Sequence, residues 1–376
     1  MSRYFLLVLS VSILLMLKLY SQIDTLHVDG RQRLFSMYFP ESYSAENQYP
    51  LVLVLHGYAN FEIGGNFGDD WYEIEGLANE ENFIVCYPFG TFDQGGNAYF
   101  WNAGGNFELI NGGVDDIHFL NVMLDTIFAR FPINHSLVFV TGHSNGAMMT
   151  YRVALEMSDR ISAAAPVAGF LAVGMTSGPV KSIPIMHIHG TDDPTVPWEG
   201  GGPYTFPPIQ WTINNWLNWN GCGGVPDTVY KSPGVTGITW QSLSGNADVT
   251  LFKANGMRHD WPRVSNCNWF GSQYIWEFFN GDGFTQPVSA MEINTDRAID
   301  ITQKNRVVEI SFADHVATSL ELKLYAINGR LIHSAQSEAL GSGMIFTLNE
   351  KEYPEGIYIM SISTNTGNYS YQIPVF

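Results

Sequence analysis

Gly142-His143-Ser144-Asn145-Gly146 stands directly behind the apolar run Leu137-Val138-Phe139-Val140 and ahead of Ala147-Met148-Met149-Thr150-Tyr151. A serine between two glycines, at the junction of a strand and a helix, has a specific chemical use. The turn strains the serine backbone, the glycines leave room for close neighbours, and the hydroxyl is pushed out at the top of a sheet. An ordinary strand-to-helix turn is the bland alternative, because glycine and serine are common. The strand pattern before the motif and the buried-helix pattern after it favour the nucleophile.

A serine hydroxyl needs a base to take its proton, and neutral imidazole has a suitable pKa. Of the ten histidines, His187, His189, His259, His315 and His333 follow Ser144, as a base must in hydrolases of this elbow type. His315 and His333 fall in a later all-β stretch. His187 and His189 sit within an apolar strand, where a satisfied structural role fits better. His259 in Gly256-Met257-Arg258-His259-Asp260-Trp261-Pro262 is left as the base. The acid belongs on a loop after an intervening strand, and Gly190-Thr191-Asp192-Asp193-Pro194 follows the apolar residues 185–189. Spacing alone does not choose between Asp192 and Asp193.

The tetrahedral intermediate also needs donors for its oxyanion. Leu55-His56-Gly57-Tyr58 follows the first long buried strand, and the backbone N–H groups of Tyr58 and Asn145 are the candidates. Trp101, Trp198 and Trp261 lie close in sequence to these segments. They are candidate substrate contacts, stacking on sugars or lining a slot for an aromatic acyl group, with core packing the competing use of each. The cysteine spacing suits no zinc site, and the reaction needs neither metal nor cofactor.

Short apolar runs at 34–39, 51–55, 83–87, 137–141, 163–167, 185–189 and 249–253 alternate with helical patterns at 71–80, 115–130, 145–157, 209–219 and 274–279. That alternation predicts an α/β fold, a mostly parallel sheet covered by helices on both faces, with ligands at the carboxyl ends of the strands. The rest divides by composition. Residues 1–21, with Arg3 ahead of an apolar stretch, read as a secretory signal peptide rather than a stable membrane span. Residues 22–280 form the α/β domain and 281–290 a polar linker. Residues 291–376 read as a small β-sandwich, with Asn328-Gly329 as a hairpin turn.

The net charge of -18 over 376 residues gives no affinity for nucleic acid or anionic membranes and suits an exported protein. Export permits disulfides. Cys86 lies in a core strand, whereas Cys222 and Cys267 fall in polar loops and are expected to pair.

His56-Gly57, Tyr87-Pro88, Trp101-Asn102, Gly113-Val114-Asp115-Asp116, the Ser144 motif, His189-Gly190-Thr191-Asp192-Asp193-Pro194-Thr195-Val196-Pro197, Asn220-Gly221-Cys222 and His259-Asp260-Trp261-Pro262 occur in one order. Together they resemble the secreted α/β-hydrolases grouped as polyhydroxybutyrate depolymerase-like proteins and as feruloyl or acetylxylan esterases of carbohydrate esterase family one. The resemblance spans residues 25–279. It implies Ser144 as nucleophile, His259 as base and Asp193, not Asp192, as acid. Met257 and Arg258 stand where the family carries glycines. Ile327-Asn328-Gly329-Arg330, Pro354-Glu355-Gly356-Ile357-Tyr358 and the closing strand resemble the sorting domain of type IX secretion cargo, a polysaccharide-binding sandwich being the alternative. The implied protein is a secreted or surface-held serine esterase. It acts on feruloyl or acetyl esters of plant cell-wall polysaccharide and is handed out by secretion machinery. A polyester depolymerase is the second reading. A non-catalytic binding protein on a hydrolase scaffold is the third, and it predicts loss of a triad or oxyanion element.

Overall fold

Tyr49-Pro50-Leu51-Val52-Leu53-Val54-Leu55 is apolar at nearly every position, and a strand of that kind is stable only with both faces covered. The computed structural model describes residues 22–58, 71–93, 96–105, 113–202, 205–245, 247–267, 269–281, 284 and, further on, the strands between 299 and 375. The expected leader 1–21 and most of the linker lie outside the described residues.

The strands up to the last long helix are β1 (Gln22–Val28), β2 (Arg31–Tyr38), β3 (Tyr49–Leu55), β4 (Ile84–Pro88), β5 (Thr91–Asp93), β6 (Ala98–Phe100), β7 (Ile133–His143), β8 (Ala163–Val167), β9 (Ile185–Gly190), β10 (Asp227–Ser232), β11 (Val235–Trp240) and β12 (Val249–Ala254). Ten of them form one sheet in the order β1-β2-β4-β3-β7-β8-β9-β12-β11-β10. The run β4-β3-β7-β8-β9-β12 is parallel. Antiparallel pairs close both edges, β1-β2 at one and β11-β10 at the other. All the predicted strands of the parallel run are present. The edge strands β1, β10 and β11, whose composition is mixed, were not expected.

The helices are α1 (Glu75–Glu81), α2 (Asp116–Arg130), α3 (Asn145–Glu156), α4 (Ile209–Asn220), α5 (Val264–Cys267) and α6 (Gly271–Asn280). Residues of α2, α3 and α4 bury a face with Leu51, Leu53 and Leu55. Residues of α1 and α6 cover the opposite face with Val52 and Val54. Alternation along one strand thus feeds two cores, as the two-sided sheet requires. The start of α2 is fixed by Asp115, whose carboxylate accepts the His118 N–H at 2.9 Å. The end of α4 is fixed by left-handed Gly221, after which Cys222 N–H returns to Leu217 O at 2.8 Å.

The same two-sidedness corrects the expected disulfide. Cys222 packs against the α2–α3–α4 core and Cys267 against the α1–α6 core, so the sheet lies between them. Both are free thiols, as is buried Cys86.

Beyond residue 298 the strands are β13 (Ile299–Lys304), β14 (Val307–Phe312), β15 (Ser319–Ala326), β16 (Leu331–Glu338), β17 (Gly343–Thr347), β18 (Gly356–Thr364) and β19 (Asn368–Val375). They form two antiparallel sheets, β13-β14-β17 and β16-β15-β18-β19. Leu322 and Leu324 are fully buried on one face of β15. The Asn328-Gly329 turn lies outside the described residues, although β15 and β16, which it joins, pair antiparallel. Among the described residues, no helix is long and apolar enough to cross a membrane.

Candidate active site

β7 runs into α3 through Ser144, whose φ of 56° and ψ of -119° lie outside the ordinary regions for a residue with a side chain. The elbow is held by Ser144 N–H donating to Val167 O at 3.0 Å and by Met148 N–H donating to Ser144 O at 3.0 Å. Its glycines are required by contact. A Cβ on Gly142 would lie 2.7 Å from Leu55 O, and one on Gly146 only 2.1 Å from that same carbonyl. Gly146→Ala is therefore expected to lower stability by at least about 3 kcal/mol, roughly 6–12 °C in melting temperature for a domain of this size. Thermal unfolding followed by circular dichroism measures this directly.

His259 arrives from the loop after β12. That loop is stitched to the end of β9, because Thr191 N–H donates to Ala254 O at 3.0 Å and Asp192 N–H to Met257 O at 3.1 Å. Gly190 allows this, since a Cβ there would lie 2.1 Å from Met257 O. Met257 fills the core and Arg258 is exposed, so the two departures from the glycine pattern have separate uses. The result brings together three residues from the carboxyl ends of three parallel strands. His259 Nε2 is 2.8 Å from Ser144 Oγ, and His259 Nδ1 is 2.7 Å from Asp193 Oδ2.

The structure also separates the two aspartates. Asp193 is buried, and its Oδ1 accepts the N–H groups of Thr195 and Val196, each at 2.8 Å. Asp192 is exposed and, among the described residues, its carboxylate accepts only the neighbouring Thr191 hydroxyl. Burial by itself raises the Asp193 pKa. Hydrogen bonds from His189 and His259, the His259 charge and the Val196 N–H outweigh it and hold the carboxyl well below the usual range.

The Leu55-His56-Gly57-Tyr58 loop lies against the elbow, where a Cβ on Gly57 would be 3.3 Å from Ser144 Cβ. His56 Nδ1 is 2.6 Å from Gly57 O, and its Nε2 accepts Gly90 N–H at 3.0 Å. A carbonyl can only accept, so the proton sits on Nδ1. Burial pushes His56 down to about 4, which keeps it neutral. Its bond pins the Gly57–Tyr58 peptide with the carbonyl turned to His56 and the Tyr58 N–H turned away from it. Asn145 is buried at the start of α3.

Of the three tryptophans, two are corrected. Trp101 is fully buried; its indole donates to His56 O at 3.0 Å, and its backbone pairs with both ends of the Asn145 amide at 2.8 and 3.1 Å. It ties the two candidate oxyanion segments together and faces no substrate. Trp261 is also fully buried, donating to Ser272 Oγ at 2.8 Å and set edge-on to Tyr72. It braces the His259 loop. Trp198 is half-buried, with Lys253 Nζ 5.0 Å from its ring centre.

Two aromatic or imidazole groups at the site were not anticipated. Trp71 is 37 % exposed and stands edge-on to His143 at 5.1 Å, and the His143 ring is 4.8 Å from that of His259. Burial, then His259, pushes His143 down to about 3, so it is a neutral neighbour of that imidazole. Among the described residues, no group of His, Cys, Asp and Glu could hold a metal ion.

Residues 117–202, which hold Ser144 and Asp193, match the phospholipase/carboxylesterase family, and residues 304–375 match the secretion system C-terminal sorting domain. The chain is similar to a probable feruloyl esterase C from Aspergillus terreus, 27% identical over 68% of this chain and 86% of that one. It is similar to a bifunctional acetylxylan esterase/xylanase from Neocallimastix patriciarum, 25% identical over 69% of this chain but only 35% of that longer protein. A poly(3-hydroxyalkanoate) depolymerase C from Paucimonas lemoignei is 27% identical over 61% of this chain and 63% of its own. The sorting domain directs a protein through secretion machinery to the outside of the cell. The chain is thus an exported carboxylesterase with the α/β-hydrolase fold, whose C-terminal residues match a sorting domain.

Proposed function

We propose that this protein hydrolyses feruloyl or acetyl esters of plant cell-wall polysaccharide through an acyl-enzyme, with Ser144 as nucleophile, His259 as base and Asp193 as its orienting acid. The observation that carries the proposal is the continuous contact Ser144–His259–Asp193, at 2.8 and 2.7 Å, at the carboxyl ends of β7, β12 and β9. His259 Nε2 takes the Ser144 proton as Oγ bonds to the ester carbon, and the carbonyl oxygen becomes an oxyanion held by the N–H groups of Tyr58 and Asn145. The carbon–alkoxy bond then breaks, and the His259 proton goes to the departing alcohol. Water, deprotonated by the same imidazole, adds to the acyl carbon, and Ser144 leaves with the proton restored.

Substrate class rests on the relatives and on two exposed rings. Tyr58 is 50 % exposed in the candidate oxyanion loop, and Trp71, 37 % exposed, stands beside His143. Together they offer aromatic surface to a feruloyl ring, the part first assigned to Trp101, Trp198 and Trp261. Parallel assays on feruloylated arabinoxylan, acetylxylan and polyhydroxybutyrate film test the assignment. Release of ferulate or acetate without erosion of the film is expected, and erosion alone overturns it in favour of the depolymerase reading. With methyl ferulate, Trp71→Ala is expected to raise KM roughly 2- to 10-fold, the worth of one aromatic pair.

A further inference from the structure

A chain of buried polar side chains lies beneath the triad and takes no part in the reaction just described. The Tyr151 hydroxyl is 2.7 Å from His187 Nδ1, and His187 Nε2 is 3.0 Å from His189 Nδ1. His189 Nε2 is 2.8 Å from Val196 O and 3.4 Å from Asp193 Oδ2. Tyr151, His187 and His189 are all fully buried. Two imidazoles on one face of a parallel strand, where valine or isoleucine would fill the space, are costly unless every nitrogen is satisfied.

The end of the chain fixes every proton in it. Val196 O can only accept, so His189 Nε2 carries a hydrogen. With no proton on its Nδ1, His189 accepts there, which requires His187 to donate from Nε2. His187 in turn accepts at Nδ1, and Tyr151 donates to it. Burial pushes His187 well below and Tyr151 well above their ordinary values, so both hold the neutral forms this order needs. With neutral rings this one arrangement satisfies all the contacts, and each donor points toward the turn that carries Asp193.

We infer that His189, backed by His187 and Tyr151, is a positioning residue for Asp193: its Nε2–H, shared between Val196 O and the carboxylate, holds the Asp193–Val196 turn in register with His259. This rests on the triad reading above. The turn itself supplies the Thr195 and Val196 N–H groups to Asp193 Oδ1, so tying down the Val196 peptide from beneath fixes both carboxylate oxygens. The Asp193 oxygen nearer His189 is also the one bonded to His259.

Two short amides separate this role from packing. In His189→Gln the amide nitrogen reaches the place of Nε2 and restores a donor toward Val196 O and Asp193. In His189→Asn the amide oxygen falls near Nδ1, keeps the His187 bond and leaves no donor on the Asp193 side. With p-nitrophenyl acetate, kcat of the Asn variant is expected to fall roughly 10- to 100-fold with KM within about 2-fold, and Gln to recover to within about 3-fold of wild type. Folded Asn protein with wild-type kcat, or equal impairment of Asn and Gln, overturns the inference. Should the Asn variant not fold, Tyr151→Phe removes only the far hydroxyl. It is expected to lower kcat and shift the low-field Nδ1–H proton resonance of His259, and no change in either overturns the inference. Ser144→Ala run in the same assay keeps the two readings apart. Activity in that variant defeats the triad, whereas its loss beside a fully active His189→Asn defeats only the positioning role.

Discussion

Ser144→Ala is expected to lower kcat/KM on a short p-nitrophenyl ester by at least about 10⁴-fold and to leave the melting temperature within about 2 °C of wild type. The two halves follow from the same geometry. The Ser144 hydroxyl bonds to His259 Nε2, while the backbone bonds to Val167 and Met148, which an alanine keeps, hold the elbow. Removing the oxygen therefore takes away the nucleophile and spares the turn. The positive φ remains a strain in either protein, so no relief offsets the loss. Whatever rate survives belongs to water attacking an ester that the candidate oxyanion donors still polarise. Steady-state kinetics, covalent labelling by a fluorophosphonate and thermal unfolding check the three parts. Labelling at wild-type rate in the alanine protein would place the nucleophile elsewhere, whereas a wild-type protein that takes no label would return the non-catalytic scaffold to consideration.

How far the sequence carries depends on whether a property is set locally. The parallel run was legible because a strand covered on both faces must be apolar throughout, as β3, β4 and β8 are. β10 and β11 were not, because Asp227-Thr228-Val229-Tyr230-Lys231-Ser232 and Val235-Thr236-Gly237-Ile238-Thr239-Trp240 are mixed and gain their order by pairing outward from β12. Gly237, which weakens a strand in isolation, makes room there for the Phe252 ring. The histidine that reaches Ser144 was legible because chain order, an apolar strand and the later all-β stretch set its rivals aside. Choosing Asp193 over Asp192 needed the family pattern, since the Thr195 and Val196 N–H groups that distinguish them exist only once the turn has formed.

Side-chain direction was the least legible property. Trp101 and Trp261 are near the site in sequence and near it in space, yet both indoles turn inward to an acceptor, His56 O and Ser272 Oγ. Trp71 reads as the first residue of a helix over 71–80, but the helix begins at Glu75 and leaves the ring at the surface. The cysteines failed for a related reason. A polar loop can end on either side of a sheet, and no local pattern around Cys222 or Cys267 says which.

Asp193→Asn is expected to lower kcat by about 10⁴-fold with the fold intact, because only one orientation of the amide keeps both bonds of the turn and it is the wrong one for catalysis. The Thr195 and Val196 N–H groups both donate to the Oδ1 position, so an asparagine must place its oxygen there. Its NH₂ then occupies the position of Oδ2, 2.7 Å from His259 Nδ1. Two donors cannot face each other, so the imidazole moves its proton to Nε2, the nitrogen that should accept from Ser144. The variant is left with a correctly placed base that is already protonated on its working side. Stability responds on a separate axis. Asp193 is held below the ordinary carboxyl range in the folded protein, so its contribution is fully present above the unfolded pKa of about 3.9 and fades as pH falls below it toward the folded value. Wild type and Asp193→Asn should accordingly differ most in melting temperature near neutrality and converge in acid. A constant gap across that range would mean that the carboxylate charge contributes nothing to the fold, and an Asn variant with wild-type kcat would mean that His259 keeps its tautomer without Asp193.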